Sequence, residues 1–351
     1  MLPKDARLAL LHDWLVSELE LAVERIEPAS SDASFRRYFR VFHRGGSHIV
    51  MDAPPEREDV RPYLAVGALL ESLGAHVPHV HAAAVERGLL LLEDLGSTPY
   101  LARLAAGSDP QPLYADALAA LADIQAKGGE AARALPPYDR QALLRELELM
   151  PEWFCGAHLQ LALCAHERAL IGESFEWLIR EALAQPQVFV HRDYHSRNLM
   201  LLPERNPGII DFQDAVRGPI GYDLVSLLKD CYIAWPRERV LAWVEQFRQL
   251  LLARGYHDAG SAADLVRWFD VIGVQRHLKV LGIFARLFYR DGKSGYLNDL
   301  PLTLAYVLEG CALYPPLEPL GEFLARRAAP LLPAANGRAV AASPGTATAP
   351  A

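Results

Sequence analysis

Between residues 188 and 216 two short apolar runs each deliver an acid, and that arrangement narrows the folds open to the chain more than any other stretch. Val188-Phe189-Val190 leads into His191-Arg192-Asp193, Asn198 follows the aspartate by five residues, and a second run ending Ile209-Ile210 leads into Asp211-Phe212. A phosphoryl-transfer centre asks for one carboxylate to accept or orient a hydroxyl proton. It also asks for an amide oxygen and a second carboxylate to hold Mg²⁺ against the phosphates of ATP. On this pattern Asp193 is the expected catalytic base, and Asn198 and Asp211 are the expected metal ligands. Taken singly, the three are a turn residue, a cap and a strand-end acid. The joint spacing across two strands carries the reading.

The rest of the chain sets bounds on that centre. With 351 residues, half of them hydrophobic, there is enough chain for two domains and a large core. The formal charge of −8 and the lack of any Lys/Arg-rich run give no reason to expect nucleic acid or an anionic membrane. Acids and a tryptophan interrupt the apolar pattern of the N-terminus, so no signal peptide is read there, and no apolar stretch reaches the length of a membrane span. A cytoplasmic protein with no obligate protein partner is expected. Cys155, Cys164, Cys231 and Cys311 are scattered and read as reduced thiols.

Leu8, Leu11, Trp14, Leu15 and Leu19 predict an amphipathic helix behind an Asp5 cap. A small polar stretch, Ser31-Asp32-Ala33-Ser34, precedes a strand-like 35–41 and, beyond Gly45-Gly46, a second strand over 48–51. Backbone N–H groups in such a turn can cradle phosphates, although a polar hairpin turn is its commoner meaning. Pro62 predicts a helix start and Gly74 its end. The run Gly88–Leu92 enters Glu93-Asp94-Leu95-Gly96 as either a buried strand and turn or a hinge whose Glu93 and Leu95 backbone groups read adenine. Helical periodicity then covers 113–126, 139–150, 157–183, 223–234, 237–254, 262–289 and 299–312. Residues 1–95 are expected as a nucleotide-binding lobe and 96–333 as a helical catalytic and substrate-binding lobe. The Ala/Pro/Gly-rich 334–351 is expected as a disordered tail.

Taken together, HRDYHSRNLM, IIDFQDAVRGPIGYDL and LLLLEDLG resemble the aminoglycoside phosphotransferase family of small-molecule kinases, over about 29–314. That resemblance implies an α+β, bilobal protein-kinase-like fold: a small N-terminal lobe with an antiparallel sheet and a larger, mainly helical C-terminal lobe. SDASFRRYFRV, VMDAPPE and VQRHLKVLGIFARLFYRDGKSGYLNDLP are more closely similar to the bacterial kinases that phosphorylate N-acetylmuramate and N-acetylglucosamine at the anomeric hydroxyl in cell-wall recycling. The resemblance implies ATP and Mg²⁺ as cofactors and an amino sugar as substrate. Kinases of this fold usually place a phosphate-binding lysine on the third strand. No lysine lies between Lys4 and Lys127 here, so Arg36 and Arg40, which alternation sends to one face, are the candidates to replace it.

On the acceptor side, Asp211 is followed within a dozen residues by Gly218–Leu224, which leaves no room for an activation segment and points to a small-molecule acceptor. Asp223 is expected to brace the catalytic loop. Arg217, Arg276 and Lys279 give local basicity suited to a carboxylate-bearing sugar, or else a solvated helix face. Gln213 and Asp214 can bond sugar hydroxyls, and Trp153 can stack on a pyranose or pack in the core. Rival readings are a kinase of another small molecule, aminoglycoside or choline-like, and a silent nucleotide-binding scaffold suggested by the missing lysine.

Overall fold

The computed structural model describes residues 5–31 and 35–342. In chain order the elements begin with α1 (Ala6–Asp13), a π-helical continuation (Trp14–Glu18), β1 (Val23–Ser31), β2 (Arg37–His43), β3 (Gly46–Asp52) and α2 (Arg61–Ser72). Next are β4 (Val80–Ala84), β5 (Leu89–Glu93), α3 (Tyr100–Ala105), α4 (Pro110–Lys127), α5 (Gly129–Arg133), α6 (Arg140–Leu147) and a π-helical segment (Met150–His158). α7 (Ala165–Leu183), β6 (Gln187–Val190), β7 (Leu199–Met200), β8 (Gly208–Ile209), β9 (Val216–Pro219) and α8 (Gly221–Leu228) surround the motif that opened the sequence reading. The chain closes with α9 (Arg237–Ala253), α10 (Ala262–Asp291), α11 (Leu300–Ala312), α12 (Glu318–Phe323) and α13 (Leu332–Ala342).

The chain divides into two compact units. The first takes residues up to 102 together with 197–214, and the second takes 103–196 together with the residues from 215 onward. In the first, five antiparallel strands run in the order β1-β2-β3-β5-β4. β2 and β3 are joined through Gly46 at φ 134°, a backbone state that β-carbon-bearing residues rarely adopt. Alternation puts Phe39, Val41 and Val50 on one face, where Leu11, Trp14 and Leu15 of the N-terminal helix bury against them with Leu89 and Leu91. Asp5 caps that helix by accepting from the N–H groups of Arg7 and Leu8. On the same face Asp52 is fully buried and paired with Arg7 and Arg37. Residues 197–214 join this unit because their backbone is bonded into it: Leu201 N–H donates to Thr98 O at 2.8 Å and Ile209 N–H to His76 O at 2.8 Å.

In the second unit α10 is the central element, buried along most of its length and packed by α7, α8, α11 and the 150–158 segment. A Ser261/Asp264 capping box starts it, and Gly292 at φ 70° ends it. The helix expected over 157–183 is interrupted: Gln160 sits at φ 56°, and α7 begins only at Ala165, behind a Cys164/Glu167 capping box. Of the tail expected over 334–351, the part to Ala342 is helical, since alanine-rich sequence favours helix even where bulky apolar residues are scarce, and 343–351 lie outside the described residues. Among the described residues no helix is long and apolar enough to cross a membrane.

Candidate active site

Asp193 lies on the loop between β6 and residue 197, in the second unit. Two buried carboxylates hold that loop. Asp223, in the first turn of α8, accepts the N–H of His191 at 2.6 Å and of Arg192 at 2.9 Å, the bracing role expected for it. Asp230 accepts the Ser196 N–H at 3.0 Å together with the Ser196 hydroxyl and, at 3.1 Å, the N–H of Tyr232. Arg192 sits at φ 78°, so the turn that presents Asp193 is a strained one held from both ends. Burial pushes the Asp223 carboxyl up to about 7 against the pull of its two N–H donors, with the Asp193 charge adding to the rise.

Around Asp193 the charges are arranged to keep it ionised. Burial works against the anion, but Lys279, His195, Arg276 and Arg192 outweigh it and hold the group down at about 2. Lys279 and Arg276 project from α10 and are buried. Lys279 donates to Tyr222 Oη at 2.9 Å and pairs with Glu146 at 3.4 Å, while Arg276 donates to Ser226 Oγ at 2.8 Å. Glu146, on α6, also pairs with Arg192 and accepts from the Tyr138 hydroxyl. Despite its burial its pKa is lowered, chiefly by Lys279 and then Arg192. Thus Arg276 and Lys279, singled out on the sequence for substrate, are placed in the electrostatic surroundings of Asp193.

In the first unit Asn198 and Asp211 come together: Asn198 Nδ2 lies 3.3 Å from Asp211 Oδ2. β7 and β8 pair in register, Leu199 with Ile209, and the Ile210 N–H donates to Asn198 O at 3.1 Å, which leaves Asp211 one residue beyond Asn198's partner. Asp211 takes φ 66°, and Phe212 behind it is fully buried, its ring 4.6 Å from that of Tyr63. With the Asn198 amide turned to present its oxygen, this pair is a hard donor set of the kind Mg²⁺ accepts when phosphate and water oxygens complete its shell. No cluster of three or more His, Cys, Asp or Glu suited to a metal occurs among the described residues. Arg36 reaches to 3.7 Å from Asp211 Oδ1, and Gln213 donates to the same oxygen at 2.9 Å. Arg40 is taken up elsewhere, by both oxygens of Asp94 at 2.7 and 3.0 Å and by Gly96 O at 2.8 Å.

The remaining expected site residues fall in several places. Asp32, Ala33 and Ser34 lie outside the described residues, and Ser31 closes β1. Glu93 ends β5, with its N–H donated to His79 O at 2.8 Å, and Leu95 is buried beyond it. Trp153 is half-buried on the 150–158 segment, Arg217 is half-buried on β9, and Asp214 is exposed. Sequence reasoning missed Glu146, Tyr138 and Tyr222, which are distant in sequence and carry no motif. It also missed a run of rings that starts at the catalytic loop: His195 against Tyr232 at 5.5 Å, Tyr232 against Phe284 at 6.3 Å and Phe284 against Tyr296 at 5.2 Å.

Comparison with known proteins places this geometry. Residues 25–261 match the model of the phosphotransferase enzyme family. An N-acetylmuramate/N-acetylglucosamine kinase of Pseudomonas putida is 45% identical over 331 residues, covering 92% of this chain and 96% of that protein. A protein of the same name from Neisseria meningitidis is 43% identical over 300 residues, 84% of this chain and 88% of that one. Among solved structures, an ethanolamine kinase of Plasmodium vivax superposes with a TM-score of 0.61 at 14% identity, covering 90% of each chain. The GDP complex of an aminoglycoside 2'-phosphotransferase-IIIa does so with 0.58 at 15% identity, covering 88% of this chain and 99% of that one.

Proposed function

The chain belongs to the phosphotransferase enzyme family, and from that premise we propose that it is an ATP-dependent kinase of N-acetylmuramate and N-acetylglucosamine. It would act at the anomeric hydroxyl and yield the sugar 1-phosphates of cell-wall recycling in the cytoplasm. It is a small-molecule kinase of kinase-like α+β fold. The acceptor is supported by relatives of that name at 43–45% identity over most of both chains. The observation that carries the reaction is the state of Asp193, an aspartate fixed on a doubly braced loop and held ionised by Lys279, His195, Arg276 and Arg192.

In this mechanism the Asp193 carboxylate accepts the hydrogen bond of the anomeric hydroxyl and turns its lone pair toward the phosphorus. A carboxylate as acidic as about 2 is a weak base, so the proton passes to it late, as the new O–P bond forms. Asn198 and Asp211 are the residues that would hold Mg²⁺, which when bound neutralises charge on the phosphate oxygens. Arg36, beside Asp211, supplies positive charge on the side where the family's lysine is missing. Gln213 keeps the Asp211 carboxylate oriented by its hydrogen bond.

The test is to offer purified protein Mg²⁺-ATP with N-acetylmuramate, N-acetylglucosamine, choline or kanamycin, following ADP release and loss of the sugar's reducing end. Turnover with loss of the reducing end on the two amino sugars is expected. Turnover on choline or kanamycin alone, or transfer that leaves the reducing end intact, overturns the assignment.

A further inference from the structure

On α10, seven residues beyond Lys279, lies Arg286. Seven residues are nearly two full turns, so the two side chains share a helix face and are spaced about 10 Å along the axis. Arg286 is half-buried, its Nε is shielded from solvent, and no hydrogen bond or ion pair engages its guanidinium among the described residues. The other arginines of this neighbourhood are engaged: Arg276 with Ser226, Arg290 with Asp291, Arg192 with Glu146. A guanidinium shielded on its Nε edge with no partner there is costly to keep unless a ligand completes it.

Its surroundings connect it to the catalytic cluster. Burial weighs against the Arg286 charge, as does Arg290, while Asp291, Glu152 and Glu146 favour it. Glu146 is the same carboxylate that pairs with Lys279 and Arg192, both of which act on Asp193. Glu152 precedes Trp153 on the 150–158 segment that packs against α10. A sugar whose anomeric hydroxyl meets Asp193 would therefore extend along the Lys279 face of α10 toward an unpaired cation.

We propose that Arg286 is the residue that recognises the lactyl carboxylate of the acidic sugar, by a charge-assisted and potentially bidentate pair. The inference rests on the amino-sugar kinase reading. It assigns the discrimination between the acidic and the neutral acceptor to one side chain outside the reacting atoms.

The experiment is steady-state kinetics of wild type, Arg286→Met and Arg286→Lys on N-acetylmuramate, its methyl ester and N-acetylglucosamine. For Arg286→Met the KM for N-acetylmuramate rises roughly tenfold or more, the loss of a charge-assisted hydrogen bond, with kcat little changed. Arg286→Lys recovers part of that loss. The methyl ester and N-acetylglucosamine respond little to either substitution, and their turnover is the internal control for folding. An equal loss on all three acceptors, or no change on N-acetylmuramate, overturns the assignment of Arg286. Wild type inactive on every one of these sugars overturns the kinase reading instead, a distinct result.

Discussion

Asp193 and Asp223 are two carboxylates on neighbouring elements whose surroundings drive them apart. Asp193 is held at about 2 and Asp223 is pushed up to about 7. Folding raises the Asp223 value, so the folded chain keeps a proton that the unfolded chain has lost. Its contribution to stability is full on the acid side and disappears as pH rises through about 7. Activity runs the other way, because only the ionised form presents two good acceptors to the His191 and Arg192 N–H groups. We expect kcat to fall as pH drops below about 7. Asp223→Asn should be slow and lose that limb, and a limb that survives the substitution would assign it to another group. Glu146 is the second residue to probe. Glu146→Gln leaves the buried Lys279 and the arginine at 192 without their carboxylate, which should cost about 3 kcal/mol in denaturant unfolding. A loss under 1 kcal/mol would mean the cluster repartners. The proposed base and metal pair were nominated from spacing because Asp193, Asn198 and Asp211 sit within twenty residues of sequence. Glu146 could not be, since what brings it to Lys279 is an encounter between α6 and α10.

Helices and strands were legible wherever one face is buried. The apolar period of 237–254, 262–289 and 299–312 reappears as α9, α10 and α11 within two residues at each end, because tertiary burial and periodicity ask for the same stripe. The 157–183 stretch failed because apolar period cannot register a local reversal such as the one at Gln160, and the cysteine that caps α7 is not a residue type that announces a cap. Interior glycines were equally silent. Gly282 lies in mid-helix, where a β-carbon would fall on the backbone carbonyl of Leu149, at the start of the segment bearing Trp153. Gly282→Ala gains about 1 kcal/mol of helix propensity, yet backbone cannot yield as a side chain would. We therefore expect a net loss of about 1–3 kcal/mol in thermal or denaturant unfolding. A stabilised Ala variant would mean that the close approach is not maintained in solution.

At the level of the whole molecule, Asp193 and the Asn198/Asp211 pair, the proposed base and metal ligands, belong to different compact units although they are neighbours in sequence. Ligand linkage separates their contributions. Mg²⁺-ATP at about one hundred times its Kd should stabilise the chain by about 2.7 kcal/mol, read as a rise in Tm. Asp193→Ala should keep that rise while losing turnover by orders of magnitude, and Asp211→Ala should lose the magnesium-dependent part of it. An undiminished magnesium effect in Asp211→Ala would remove that residue from the metal site. The division of the chain carries one more consequence. The first unit is completed only by 197–214, which supplies Phe212 beneath Tyr63 and strand bonds to Thr98 and His76. No single cut in the polypeptide therefore releases either unit whole. A fragment ending at 102 would lack part of its own core, and one starting at 103 would carry an orphaned loop. Neither unit is therefore a contiguous piece of chain that could be excised or exchanged by itself.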